Sequence, residues 1–257
     1  MSVPLTSSRC GASQAQQSGP MLHAMLSVVI PTLNAEKTLT RVLAALVRPT
    51  VRGLVKDVVI ADGGSTDETR AIAEAAGARF IVAPRGRGVQ LAAGAQAARA
   101  DWYLFLHADT VLQPGWDEEV ETLLERLDKR GAKGLDFAAV FRFALDDFSI
   151  WARLLERLVV WRGRLFGLPY GDQGLLVSRR LYDTLGGFRP YPIMEDVDFV
   201  RRIGRRRLVF LRTPAVTSPQ RYLSDGYLAR SSRNAVCLML YYLGVDPDRI
   251  ARIYARS

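Results

Sequence analysis

The chain has little cysteine, little histidine and no long apolar run. Cys10 and Cys237 are far apart, and neither has a partner at metal-ligand spacing. That excludes a thiolate metal centre and a disulfide framework, and a reduced, cytoplasmic setting is expected. His23 and His107 are the only histidines, which excludes a multi-histidine metal site. The apolar stretch at 235–243 is too short to span a bilayer. Residues 1–24 are rich in Ser, Gln, Ala and Gly and lack the apolar core of a secretory signal. They read as a disordered leader, with Met21 or Met25 as alternative starts.

What is present suits one α/β domain of generous size, or one domain with an appended helical region. The 257 residues are 49% hydrophobic, enough for a full core. A net charge of +9 draws polyanions: an acidic lipid surface or a phosphorylated small molecule. The basic residues do not interleave with aromatics in a nucleic-acid motif, so no nucleic-acid partner is expected. Apolar runs at 26–31, 56–61, 79–83 and 102–106 read as strands. Helical patterns at 35–47, at 66–76 (capped by Ser65 or Thr66) and at 89–99 separate them. This alternation predicts a mostly parallel sheet covered on both faces. The second half mixes helices at 118–129, 150–166 and 197–203 with strands at 137–145 (antiparallel in character), 171–178 and 207–211. A helical tail begins at Gly226.

Three strand ends carry polar residues where an open α/β sheet binds its ligand. The first run ends in Pro31-Thr32-Leu33-Asn34-Ala35-Glu36, ahead of a helix N-terminus that offers backbone donors. The second ends in Asp62-Gly63-Gly64-Ser65-Thr66-Asp67. There Asp62 either accepts from a nucleobase edge or ribose, or caps the turn. The fourth delivers His107-Ala108-Asp109. Between them, Arg85-Gly86-Arg87-Gly88-Val89-Gln90 forms a loop with two arginines at a helix start. It is an anion cradle in which Arg87 and Gln90 are favoured, or else a solvated basic loop. Downstream lie Tyr170-Gly171-Asp172-Gln173, Gly186-Gly187-Phe188 and Met194-Glu195-Asp196-Val197-Asp198.

Taken in register over residues 26–223, these motifs resemble family 2 glycosyltransferases of the GT-A fold. The Tyr-Gly-Asp-Gln and Met-Glu-Asp segments resemble a bacterial subgroup of family 2-like enzymes. The resemblance implies a GT-A (Rossmann-like) mixed α/β sheet, mostly parallel, with helices on both faces. It divides the chain into a leader (1–24), a GT-A domain (25–223) and a helical extension packed on it (224–257). It further implies transfer of a sugar from a nucleotide-diphosphate donor, UDP or GDP, to a hydroxyl acceptor, with inversion. Donor contacts then fall on Pro31, Thr32, Glu36, Asp62, Arg87, Gln90, His107, Ala108 and Arg221.

Asp109 stands at the family's metal-ligating carboxylate, and His107 occupies the place of its first one. Mn²⁺ or Mg²⁺ is the implied cofactor, because a divalent ion neutralises the charge that builds on a leaving diphosphate. His107 is either a ligand or a hydrogen-bonding strand-end residue. The resemblance assigns the base that takes the acceptor proton to Asp196, with Glu195 as the alternative. It gives Asp172 and Gln173 to the acceptor or sugar.

The helix at 150–166 carries Trp151, Leu154, Leu158 and Trp161 beside Arg153, Arg157, Arg162 and Arg164. It lies on a membrane surface, or packs on the sheet or in a homodimer. An acceptor linked to lipid and a peripheral position at the inner membrane face belong to the first case. Two other functions stay open on the residues alone. One is a non-catalytic nucleotide-sugar binder or membrane-associated protein. The other is a nucleotidyltransferase, against which the lack of a glycine-rich basic loop after the first strand argues.

Overall fold

The computed structural model describes residues 25–166 and 171–256. The leader, with Cys10 and His23, lies outside them, as does Tyr170. Strand β1 (Leu26–Thr32) lies inside the sheet, with all seven of its residues buried. β1 runs parallel to β2 (Val55–Asp62) on one side and to β4 (Trp102–Phe105) on the other. β3 (Arg79–Val82) extends the sheet beyond β2. Alternate side chains serve two cores. Val28, Ile30 and Leu104 join one apolar cluster, while Val29, Tyr103 and Phe105 join the other. Helices α1 (Glu36–Val51) and α2 (Thr69–Ala75) contribute Leu39, Val42, Leu46 and Ala73 to the first. α3 (Arg87–Ala97) contributes Leu91 and Ala95 to the second. A strand buried on both faces reads as a continuous apolar run, which is how these strands appear in the sequence.

The eight strands follow the order β3-β2-β1-β4-β7-β6-β8-β5. β7 (Leu175–Ser178) is antiparallel to β4 and to β6 (Ala138–Leu145). β6 is parallel to β8 (Leu208–Thr217), and β8 is antiparallel to the short edge strand β5 (Thr110–Leu112). Four of the seven pairings are parallel. From β1 the chain goes outward to β2 and β3, then returns to β4 on the other side of β1. That reversal opens a crevice at the carboxyl ends of β1 and β4.

α4 (Trp116–Asp128), α5 (Ile150–Phe166), α6 (Arg179–Thr184) and α7 (Glu195–Ile203) complete the layers. α8 (Gln220–Asp225), α9 (Tyr227–Tyr242) and α10 (Pro247–Arg256) follow β8. Buried Cys237 of α9 and Ile250 of α10 pack on Ile193, Met194 and Val197. The last two helices therefore press on the start of α7. Among the described residues, no helix is long and apolar enough to cross a membrane.

Several boundaries differ from the sequence reading for local reasons. Residues 171–173 form a single 3₁₀ turn, and the strand begins at Leu175 after Gly174 (φ +65°). β6 is antiparallel to β7 and parallel to β8, and apolar clusters cover both its faces, with Ala139 and Phe141 in one and Ala138 and Val140 in another. Neither Ser65 nor Thr66 caps α2. The amide of Thr69 is met by Asp67 Oδ1 at 3.1 Å.

Two glycines set how closely α3 can approach. A Cβ on Gly94 would stand 2.3 Å from Val29 Cγ1, and one on Gly88 would stand 2.2 Å from the Arg189 carbonyl oxygen. The Gly88 contact joins the start of α3 to the segment leading into α7. Backbone cannot yield as a side chain does, so Gly88→Ala is expected to destabilise the fold by about 2–3 kcal/mol. Urea unfolding measures this, and a variant as stable as the wild type would refute the contact.

Candidate active site

The crevice floor is built from two turns stapled together. Thr32 Oγ1 donates to Asp62 Oδ1 at 2.7 Å, and the Gly63 amide donates to the Thr32 carbonyl at 2.9 Å. Asp62 Oδ2 accepts from the Gly64 and Ser65 amides. These hydrogen bonds hold its carboxyl below the usual carboxylate range against the opposing effect of burial, which is the largest single influence on it. Asn34 adopts a left-handed backbone (φ 51°), and its Oδ1 accepts from the Thr66 amide at 2.9 Å. Glu36 Oε2 accepts from the Glu68 amide, and Asp67 Oδ2 accepts from the Glu36 amide. Gln90 Nε2 donates to the carbonyls of Thr32 and Ala61, at 2.7 and 2.8 Å, tying both strand ends to α3.

Two adjoining cavities open over this floor, enclosing about 1400 and 840 Å³ including their mouths. The larger is bordered by Pro31, Thr32, Asn34, Arg85, Arg87, Gln90 and Ala108. The smaller is bordered by Asp172, Asp196, Met194, Tyr222, Arg230 and Asn234. His107, Asp109, Arg87, Ser218 and Tyr254 border both. The pair is large enough for a dinucleotide-sized ligand with its reacting end at the junction.

Asp109 is held at the junction by the sheet edge. The Ser218 amide donates to its carbonyl at 3.1 Å, and the next residue, Thr110, meets Thr217 hydroxyl to hydroxyl at 3.0 Å. Thr217 also donates to the Asp172 carbonyl at 3.3 Å, so β8 positions both acidic residues. Asp196 borders the smaller cavity and Glu195 does not. Met194, immediately before α7, has a left-handed backbone (φ 65°, ψ 15°). That conformation is costly for a non-glycine residue, and it sets the phase in which Glu195 turns inward and Asp196 outward. Glu195 is fully buried. Its Oε1 lies 3.1 Å from Arg87 Nε, and neither carboxylate oxygen has a hydrogen-bond partner.

The site concentrates negative charge. Burial, then the nearby Asp196 and Asp109 carboxylates, push Asp172 up to about 7. Burial, aided by Asp196 and opposed by Arg87, pushes Glu195 up to about 7. Asp172 Oδ1 is buried without a hydrogen-bond partner. Carboxylates crowded in this way favour a cation among them. No group of three or more His, Cys, Asp or Glu among the described residues forms a metal cage. At the junction, the Asp109 carboxylate and the His107 imidazole border both cavities and are oxygen and nitrogen donors of the kind that share a cation with phosphate and water. Hard divalent ions are commonly held that way.

The structure brings together Pro31, Thr32, Arg87, Gln90, His107, Ala108, Asp109, Asp172 and Asp196. It does not bring Glu36, Asp62 or Gln173 to either cavity. Glu36 and Asp62 serve the stapled turns. Gln173 is buried and donates to the Phe141 carbonyl at 3.0 Å. The Arg221 side chain lies outside the described residues. Arg230, Asn234 and Tyr254 were absent from the sequence reading. They reach the site only through the packing of α9 and α10, for which no local pattern exists.

The charge crowding has a measurable consequence. The unfolded Asp172 titrates near 3.8, well below its folded value of about 7. The folded protein thus holds a proton that the unfolded chain releases between these values, and stability falls as pH rises through that window. Asp172→Asn is expected to stabilise the protein by up to about 4 kcal/mol at pH 8 and to leave it unchanged near pH 4. Thermal unfolding at the two pH values checks this; equal effects at both would refute it.

The sequence and the fold both match known proteins. Residues 27–208 match glycosyl transferase family 2. The PGL/p-HBAD biosynthesis glycosyltransferase of Mycobacterium bovis BCG is 37% identical over 196 residues, covering 70% of this chain and 69% of that protein. The glucosyl-3-phosphoglycerate synthase of Mycolicibacterium paratuberculosis is 32% identical over 112 residues, 40% of this chain. The chain's match spans about a third of that synthase's length (34%). A crystal structure of the Mycobacterium tuberculosis synthase with Mn²⁺, UDP-glucose and phosphoglyceric acid superimposes with a TM-score of 0.55. It is 22% identical, with 87% of this chain and 81% of that one covered, so it shows the shared fold. The sheet-switch crevice of this chain and the extent of the sequence match lead to one assignment: the chain belongs to glycosyl transferase family 2.

Proposed function

We propose that this protein transfers a sugar from a nucleotide-diphosphate sugar to the hydroxyl of an acceptor, with inversion at the anomeric carbon. The observation that carries the reading is that Asp196 and Asp109 border one cavity, which joins a second cavity lined by the β1 turn. In this reading the nucleotide occupies the larger cavity against Pro31, Thr32, Ala108 and Gln90. The diphosphate lies at the junction, where Arg87 faces both cavities. The structure of the Mycobacterium tuberculosis synthase with Mn²⁺ and UDP-glucose supports UDP as the nucleotide and Mn²⁺ as the ion. Asp109 and His107 are the residues that would hold the ion. When bound, it supplies charge neutralisation at the leaving diphosphate.

The chain's own residues account for the remaining steps. Asp196 takes the proton from the acceptor hydroxyl as that oxygen attacks the anomeric carbon and the diphosphate leaves. Glu195, buried behind Arg87, orients the guanidinium toward the junction. Asp172 faces the acceptor side, and Tyr254 and Asn234 form its outer wall. Glu36 and Asp62 act by holding the stapled turns in shape.

Two experiments test the reading. Asp196→Asn is expected to lower kcat for sugar transfer or donor hydrolysis by about 10²–10⁴-fold. UDP affinity by calorimetry should stay unchanged; a variant that keeps its turnover overturns the base assignment. His107→Asp adds a second carboxylate oxygen donor beside Asp109. It is expected to tighten Mn²⁺-dependent UDP binding by about tenfold and to leave Mn²⁺-free binding weak. If Mn²⁺ has no effect on UDP affinity in either protein, the two residues do not hold the ion.

A further inference from the structure

Among the described residues, helix α5 carries an exposed apolar face. With 100° between successive residues, Ile150, Trp161, Leu154, Leu158 and Trp151 occupy a single stripe about 100° wide. Each of these side chains is exposed, from 47% at Leu154 to 84% at Ile150. Phe148, just before the helix, is 94% exposed. The opposite face is the packed one. Ala152 and Val159 are buried with Phe143, Leu145 and Tyr222. The stripe is therefore an outward surface of a helix whose inward surface is already satisfied.

Its charge is one-sided. Arg153 and Arg157 are exposed along one edge of the stripe. The helix has one acidic residue, Glu156, and it is turned inward. Its Oε1 accepts from the Leu145 amide at 2.8 Å and its Oε2 from Arg153 at 2.7 Å. Arg157 has no carboxylate partner among the described residues. It also sits at the middle of the helix. A second copy docked stripe to stripe about a two-fold axis there would set the two Arg157 guanidinium groups against each other.

We infer that the outward face of α5 docks on an anionic lipid surface. Two tryptophans, aliphatic side chains between them and an arginine edge without exposed carboxylates match the chemistry of the headgroup boundary. The same helix packs its inward face on Tyr222, which borders the smaller cavity, so docking would place that cavity one helix diameter, ~10 Å, from the lipid. The inference does not require the proposed reaction, because vesicle binding is measured without donor or turnover.

The test uses the full chain with vesicles of phosphatidylcholine alone and of phosphatidylcholine mixed with phosphatidylglycerol. The wild type is expected to sediment with the anionic vesicles about tenfold more than with the neutral ones. L154E/W161E is expected to lose that binding by about tenfold or more, with its thermal unfolding unchanged. A readout on the unmodified protein stands beside it. Of four tryptophans, Trp102 and Trp116 are buried, so acrylamide quenching reports Trp151 and Trp161. Anionic vesicles should protect them. Failure of the wild type to bind either vesicle overturns the proposal, as does binding without tryptophan protection. So does a wild-type dimer that L154E/W161E dissociates without any vesicle binding, which would make the face an interface between copies.

Discussion

The Glu195–Arg87 ion pair is the contact on which the site depends. Glu195 has no exposed surface and no hydrogen bond to its carboxylate, so the guanidinium 3.1 Å away is the group that opposes the upward push of burial on its carboxyl. A buried carboxylate without a partner at neutral pH takes up a proton instead of remaining charged. The pair also crosses the molecule. Arg87 opens α3, which follows β3, and Glu195 opens α7, which follows the antiparallel strand β7 and α6. Gly88 lets the Arg189 carbonyl approach beside it, so backbone packing and charge pairing fasten the same two elements. Arg87 retains partial exposure, which leaves it able to meet an anion while Glu195 keeps it oriented.

The sheet divides along the same line. Its parallel half, β3-β2-β1-β4, supplies turns and helix N-termini. Its mixed half, β7-β6-β8-β5, supplies the framework that carries Asp109 and Asp172. The reversal between β1 and β4 leaves room for a ligand, and the second half brings carboxylates to its edge. Arginine and carboxylate thus approach the junction from opposite sides, which suits a polyanionic donor on one side and a proton acceptor on the other.

Much of the parallel half was legible in the sequence. β1, β2 and β4 are apolar runs ending in polar residues, and strand ends of that kind locate a crevice without any tertiary knowledge. Side-chain direction was not legible. Asp62 and Glu36 sit at the expected ends, yet their carboxylates bind backbone amides of neighbouring turns. Which of Glu195 and Asp196 faces the cavity depends on the left-handed backbone at Met194, and no periodicity encodes that. β5 has only three residues and exists because β8 pairs with it. Arg230, Asn234 and Tyr254 depend on how α9 and α10 dock on Ile193, Met194 and Val197, a contact between segments far apart in the chain.

The pairing of β5 with β8 also orders events in time. Thr110 meets Thr217 across 107 positions of chain, whereas β1, β2 and β3 find their neighbours within a few tens of residues. Closing a long loop costs entropy before its contacts repay it, so distant pairings form slowly. The stapled turns after β1 and β2 can consolidate while Asp109 still hangs from an unpaired segment. A chain folding from its N-terminus therefore sets the floor of the crevice first, and both cavities close only when Ser218 and Tyr254, which border each, arrive.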